Sequence, residues 1–113
     1  MHELSLAMNV VEIAEKEVRK ANAKTVNEIE IEIGDLSGVV LEAMEFAMTE
    51  AVKNTVLNKS KITFHKVSAR AKCLKCLTEF EVEDYYNSCP QCSSFENEII
   101  QGRELRVLSL NID

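Results

Sequence analysis

The sequence predicts an α+β fold: two helices on a three-stranded, mostly antiparallel sheet, with a small cysteine-bearing module inserted between the second and third strands. Three observations lead there. Apolar residues recur at three- and four-residue steps in two segments, and alternate with polar residues in others. All four cysteines and the single proline fall in one stretch of thinned apolar content between Arg70 and Asn97.

The first helix spans Leu4 to Ala21. Leu4, Ala7, Met8, Val11, Ala14, Val18 and Ala21 form its stripe, Val10 and Ile13 widen it, and Glu12, Glu15, Lys16, Arg19 and Lys20 hold the other face. Asn22 is a suitable end. Next, Ile29, Ile31 and Ile33 alternate with Glu28, Glu30 and Glu32, which marks a strand with one wet face, ended by Gly34-Asp35. A second helix is expected over 40–56, with Leu41, Met44, Met48, Ala51, Val52 and Thr55 inward and Ser37 as N-cap. Asn58-Lys59-Ser60 reads as a turn and Lys61–Val67 as a strand. The last strand begins near Glu104, with Leu108, Leu110 and Ile112 expected on the core side. Residues 1–69 and 98–113 then form one α+β domain, and residues 70–97 the inserted module.

At 113 residues, with a net charge of −6, the chain is sized for one domain with an appendage and is repelled by a phosphate backbone. No apolar run spans a bilayer and no signal-peptide pattern is present, so a cytoplasmic location is expected. In that compartment thiols stay reduced, which makes the spacing of the cysteines informative. They form two Cys-x-x-Cys pairs, Cys73/Cys76 and Cys89/Cys92, with twelve residues between. Each pair folds as a tight turn offering two thiolates, and two such turns complete the tetrahedral sulfur set that zinc prefers. The module therefore reads as a zinc ribbon, with Thr78–Asp84 as a hairpin strand. Four filled ligand positions leave no place for a reactive water, so the zinc is structural, and so small a module depends on it to fold. Arg70, Lys72 and Lys75 are offset by Glu79, Glu81, Glu83 and Asp84, and a four-thiolate site adds negative charge. No basic stripe for nucleic acid survives.

The chain opens Met1-His2-Glu3. A terminal amine, with a reference pKa of about 7.7–8.0, yields its proton readily to a metal. That amine, the His2 backbone nitrogen and the His2 imidazole close fused chelate rings, and Glu3 can add a fourth ligand through its backbone nitrogen or its carboxylate. Such a nitrogen-rich set suits Ni(II) or Cu(II). Spacing alone favours a solvated chain end with a histidine by chance. His65 reads as structural. No Ser/His/Asp set, phosphate-cradling glycine loop or isolated carboxylate pair is present, which argues against an enzyme.

Taken in order, Met1-His-Glu3, Ile33-Gly-Asp35, Cys73-x-x-Cys76, Cys89-Pro-x-Cys92 and Gln101-Gly-x-Glu-Leu-Arg-Val-Leu-Ser-Leu110 span the whole chain. This set resembles the HypA nickel metallochaperones of [NiFe]-hydrogenase and urease maturation. The resemblance implies a nickel site in which His2 is the essential ligand, flanked by the Met1 amine and Glu3; as a separate hypothesis, acids such as Asp35 or Glu42 complete the coordination or meet a partner. It implies a structural zinc held by Cys73, Cys76, Cys89 and Cys92. The implied partners are the HypB GTPase, the [NiFe]-hydrogenase large subunit and, where urease is a second target, its accessory proteins, with the chain a monomer or dimer and no nucleic acid or membrane involved. Some members carry histidines beside the cysteine pairs. Here Leu77-Thr78 and Ser93-Ser94 stand there, so exchange of thiolate for histidine at zinc is not expected. The competing reading is a zinc-ribbon adaptor with no nickel role.

Overall fold

The computed structural model describes residues 2–113. Helix α1 (Glu3–Lys20) buries Ala7, Val10, Val11, Ala14 and Val18. It stops where Asn22 takes a left-handed φ of 51°. There the Ala23 and Asn22 amides bond back to the carbonyls of Val18 (3.0 Å) and Arg19 (3.2 Å), satisfying the last turn. The stripe is narrower than its periodicity suggests: Leu4, Met8 and Ile13 remain about half exposed.

Strand β1 (Val26–Gly34) is the centre of the three-stranded main sheet. Ile29, Ile31 and Ile33 are buried against the helices, joined by Met44, Met48 and Leu57. The intervening glutamates face the open side, where Glu32 meets Arg106 at 2.7 Å and Glu30 accepts from Ser109 at 2.7 Å. Strand β6 (Leu105–Ile112) runs antiparallel to β1, but β2 (Lys61–Val67) runs parallel to it. The sheet is thus mixed rather than mostly antiparallel. The cause is the connection: helix α2 (Leu41–Ala51) and its flanking turns lie between β1 and β2, long enough to carry the chain back across the sheet.

Three further expectations change. Ser37 does not cap α2: its hydroxyl accepts from the Val39 amide at 3.2 Å, while Val40 occupies the N-cap position. The helix also ends at Ala51, earlier than the apolar pattern suggests, because Asn54 turns left-handed (φ 61°) and Thr55 Oγ1 bonds to the Val52 carbonyl at 2.7 Å. In β6 the pairing steps from Glu30↔Ser109 to Ile31↔Val107, leaving Leu108 as an unpaired bulge. Leu108 is therefore 44 % exposed instead of core. The bulge switches faces, so Leu105 and Val107 pack inward along with Leu110 and Ile112.

The insert forms its own sheet, β4-β3-β5, from β3 (Arg70–Cys73), β4 (Glu79–Glu81) and β5 (Asn97–Gln101). The expected module edge at residue 97 falls at the first residue of β5, and antiparallel pairing with β3 ties 97–101 to the ribbon. Its core is small: Ala69, Ala71, Cys73, Phe80, Val82 and Cys89, with Ile99 and Leu36 packed on it. Leu36 comes from the loop after β1, so the main domain supplies part of the ribbon's core.

The two strand connections straddle the end of β1. Gly34 donates to Glu104 O (3.0 Å), Asp35 to Val67 O (2.9 Å) and Leu36 to Gly102 O (2.8 Å). Backbones approach so closely that a Cβ on Gly34 would lie 2.3 Å from the Gly102 carbonyl carbon. Gly102, at φ +89°, is in the region glycine tolerates. The result is an elongated molecule, 53 × 26 × 17 Å.

Candidate metal centres

The cysteines sit on two matching turns. In the first, the Leu77 amide bonds to Cys73 O at 2.9 Å and Leu77 adopts φ 65°; in the second, the Ser93 amide bonds to Cys89 O at 2.8 Å and Ser93 adopts φ 64°. Each left-handed residue folds the chain back, so that the Cys73 amide reaches Thr78 O (2.9 Å) and the Cys89 amide reaches Ser94 O (2.8 Å). Loop amides point at the sulfurs, Cys76 N to Cys73 Sγ at 3.4 Å and Gln91 N to Cys89 Sγ at 3.3 Å.

All four Sγ atoms lie within 4.8 Å of one another. Across the two turns, Cys73 and Cys92 approach to 3.5 Å, as do Cys76 and Cys89. A tetrahedral ion with bonds of about 2.3 Å to sulfur requires edges of roughly 3.8 Å, so the constellation fits one. Cys73 and Cys89 are buried, Cys76 and Cys92 exposed.

The thiols do not share one acidity. Hydrogen bonding at Thr78, through its hydroxyl and its amide, lowers the Cys76 thiol to about 6. The Cys76 amide, foremost among several causes, lowers Cys73. The Ser94 amide favours the Cys92 thiolate too, but the neighbouring Cys73 sulfur and burial outweigh it and push Cys92 up to about 12. Without a cation, four clustered sulfurs cannot all carry charge; a divalent metal removes that conflict. Among the described residues this is the one group of three or more His, Cys, Asp or Glu side chains close enough to share an ion.

The other expected site begins at Met1, which lies outside the described residues. His2 is exposed and stands at the N-cap of α1, where its carbonyl accepts from the Leu6 amide at 3.1 Å. Its side chain makes no capping bond. Glu3 reaches across to the other helix: its Oε2 accepts from the Val40 amide at 3.2 Å. That hydrogen bond is the main reason its carboxyl is held below the ordinary value, with its own amide and the positive terminus contributing. Nothing in the sequence signals this contact, since it joins residues 37 apart and position 40 contributes only backbone. Asp35 and Glu42 are exposed, and the structure does not gather them with His2 and Glu3 into one side-chain group. His65 is likewise apart, on the open sheet face with its Nε2 2.8 Å from Glu30 Oε1.

A family model described as "Hydrogenase/urease nickel incorporation, metallochaperone, hypA" matches residues 1–112. The chain is 40 % identical over 112 residues to a hydrogenase maturation factor HypA of Parabacteroides distasonis, covering 99 % of this chain and 97 % of that one. It is 38 % identical over 113 residues to the HypA of Geobacter metallireducens, covering all of both. A solution structure of the Ni metallochaperone HypA from Helicobacter pylori superposes with a TM-score of 0.74 at 24 % identity, over 99 % of this chain and 97 % of that one, which establishes the shared fold. Joined to a helix-bearing domain and a ribbon whose four sulfurs converge, these likenesses settle the family: the chain belongs to the HypA nickel-incorporation metallochaperones of hydrogenase maturation.

Proposed function

We propose that this chain carries Ni(II) at its N-terminus and hands it on for maturation of [NiFe]-hydrogenase, with urease as a second target, while Zn(II) on Cys73, Cys76, Cys89 and Cys92 holds the ribbon together. The observation that carries the nickel reading is the placement of His2 and Glu3 in a chain of a nickel-incorporation family: His2 is exposed with its side chain unengaged in capping, and the next residue is fastened to α2. The Met1 amine, the His2 backbone nitrogen and imidazole, and the Glu3 backbone nitrogen are the ligands. The Glu3 carboxylate, already occupied by the Val40 amide, positions the terminus.

Delivery requires ligand exchange. A terminal site at the surface lets incoming ligands replace nitrogens one at a time, which a closed four-thiolate cage does not permit. Amine and imidazole bind metal only when unprotonated, so acidification favours release. The HypB GTPase and the hydrogenase large subunit are the expected partners, and the cytoplasm the expected compartment. No helix of the described residues is long and apolar enough to cross a membrane.

Calorimetric nickel titration of zinc-loaded protein tests this, comparing the native start with a copy bearing one extra N-terminal residue. One nickel per native chain and binding at least tenfold weaker for the extended copy are expected. Equal binding by both would place nickel elsewhere, and binding by neither would favour the adaptor reading.

A further inference from the structure

The two turns of the ribbon are alike, yet the four sulfurs are not equivalent. In each turn the first cysteine is buried and the second exposed. The 3.5 Å contacts run between turns, so each couples one exposed sulfur to one buried sulfur: Cys76 with Cys89, and Cys92 with Cys73. Within a turn, a loop amide takes up one side of the buried sulfur, from Cys76 N at 3.4 Å and from Gln91 N at 3.3 Å. The arrangement gives each outward sulfur a ready inward partner on the opposite turn.

Susceptibility of a thiolate to oxidation follows its charge and its exposure. Exposure singles out Cys76 and Cys92, one on each turn. Metal coordination keeps all four sulfurs as thiolates. We propose that the ribbon is a peroxide-responsive site in which the exposed thiolates of Cys76 and Cys92 take the oxidant and the buried Cys89 and Cys73 resolve it, forming the cross-turn disulfides 76–89 and 73–92 and expelling the metal.

The chemistry balances for each pair. A Cys76 thiolate attacks one oxygen of hydrogen peroxide, the O–O bond breaks, and a sulfenic acid and hydroxide result. The Cys89 thiolate then attacks that sulfenic sulfur, forming the S–S bond and releasing a second hydroxide. Two thiolates lose two electrons, peroxide gains them, and two protons from solvent convert the hydroxides to water. Closing a 3.5 Å contact to a bond of about 2.05 Å moves the sulfurs together by only about 1.5 Å. One such bond removes two of the four ligands, which a tetrahedral zinc site does not survive. Because Leu36 of the main domain packs on the ribbon core, loss of that core also frees the loop that leads to Val40 and Glu3.

This inference rests on the zinc reading and is independent of nickel at the terminus. The full zinc-loaded chain, free of nickel, is treated anaerobically with hydrogen peroxide in steps, with a chromophoric chelator following released zinc. Metal analysis before oxidant reads the zinc assignment separately; the disulfide map reads this inference. One zinc per chain should leave as the first two thiols disappear. Digestion with trypsin and a glutamyl endopeptidase, followed by fragmentation mass spectrometry, should find the pairs 76–89 and 73–92, and reductant with added zinc should restore the site. Cys92→Ser should still form 76–89, and Cys76→Ser should still form 73–92. Pairs inside a turn (73–76 or 89–92), retention of zinc at tenfold excess peroxide, or sulfonic acids without disulfides would overturn it.

Discussion

Glu3 shows how one side chain serves two neighbourhoods. It belongs to the expected nickel terminus by sequence and to α2 by hydrogen bonding, since its carboxylate accepts from the Val40 amide at 3.2 Å. No side chain at the start of α2 supplies a capping bond, and the carboxylate takes the N-cap amide, as the N3 residue of a capping box would from within its own segment. In Glu3→Ala, hydrogen exchange at the Val40 amide should accelerate several-fold, whereas Glu3→Gln, which keeps an acceptor, should stay near the native rate; amide-resolved NMR distinguishes them. The pH sign follows from the lowered carboxyl. Its stabilising contribution is complete above the ordinary value of 4.5 and is lost as pH falls below that value and through the lower folded one. Glu30, lowered first by Ser109 and then by His65, behaves the same way on the open sheet face. Acid titration of the two carboxyls should place both midpoints below 4.5.

Among the elements, β1 was the most legible, because strict alternation of isoleucine and glutamate fixes which face is dry. The two helices and β2 were legible from periodicity, and the convergence of the four cysteines from paired spacing. What escaped was set by contacts remote in sequence. The direction of β2 depends on how α2 packs, not on anything within Lys61–Val67. The bulge at Leu108 depends on pairing with β1, so eight alternating residues could not reveal that the core side switches halfway. Ser37 loses the capping position because the helix begins later, with Val40 at the N-cap and its amide held by a carboxylate from the other helix. The ribbon makes the clearest prediction at this scale. With a core of only four apolar residues and two cysteines, chelation of its metal should collapse the amide dispersion of β3, β4 and β5. Signals from α1 and β1, whose core is separate, should persist. Heteronuclear NMR before and after chelator reads both. Truncating the main core instead, by Ile31→Ala, should cost about 2–5 kcal/mol in denaturant unfolding.

At the scale of the molecule, the joint decides how the two modules relate. Gly34 and Gly102 are in backbone contact there, and the hydrogen bonds of Gly34, Asp35 and Leu36 reach both connections of the ribbon. Gly34→Ala would drive a Cβ to 2.3 Å from rigid backbone, with no flexible side chain to give way. A loss of about 1–3 kcal/mol is expected, visible as a lowered midpoint in denaturant unfolding. In the sequence, the Gly34-Asp35 motif marks the end of a strand. Its second role, admitting a neighbouring backbone, could be seen only once the returning chain at Gly102 was in place.

The straddled end of β1 also makes the ribbon a removable cassette. Its chain departs after Val67 and returns before Leu105, on opposite sides of Gly34, so the two cut points are separated by the width of one strand with its neighbours. Two strand spacings come to about 9.6 Å, which three or four extended residues cross. A shortened chain joined by such a bridge would keep the start at His2, the helices and the central sheet in one piece. It would lose the patch under Leu36, and with it the route by which events at the sulfur end are felt at the other.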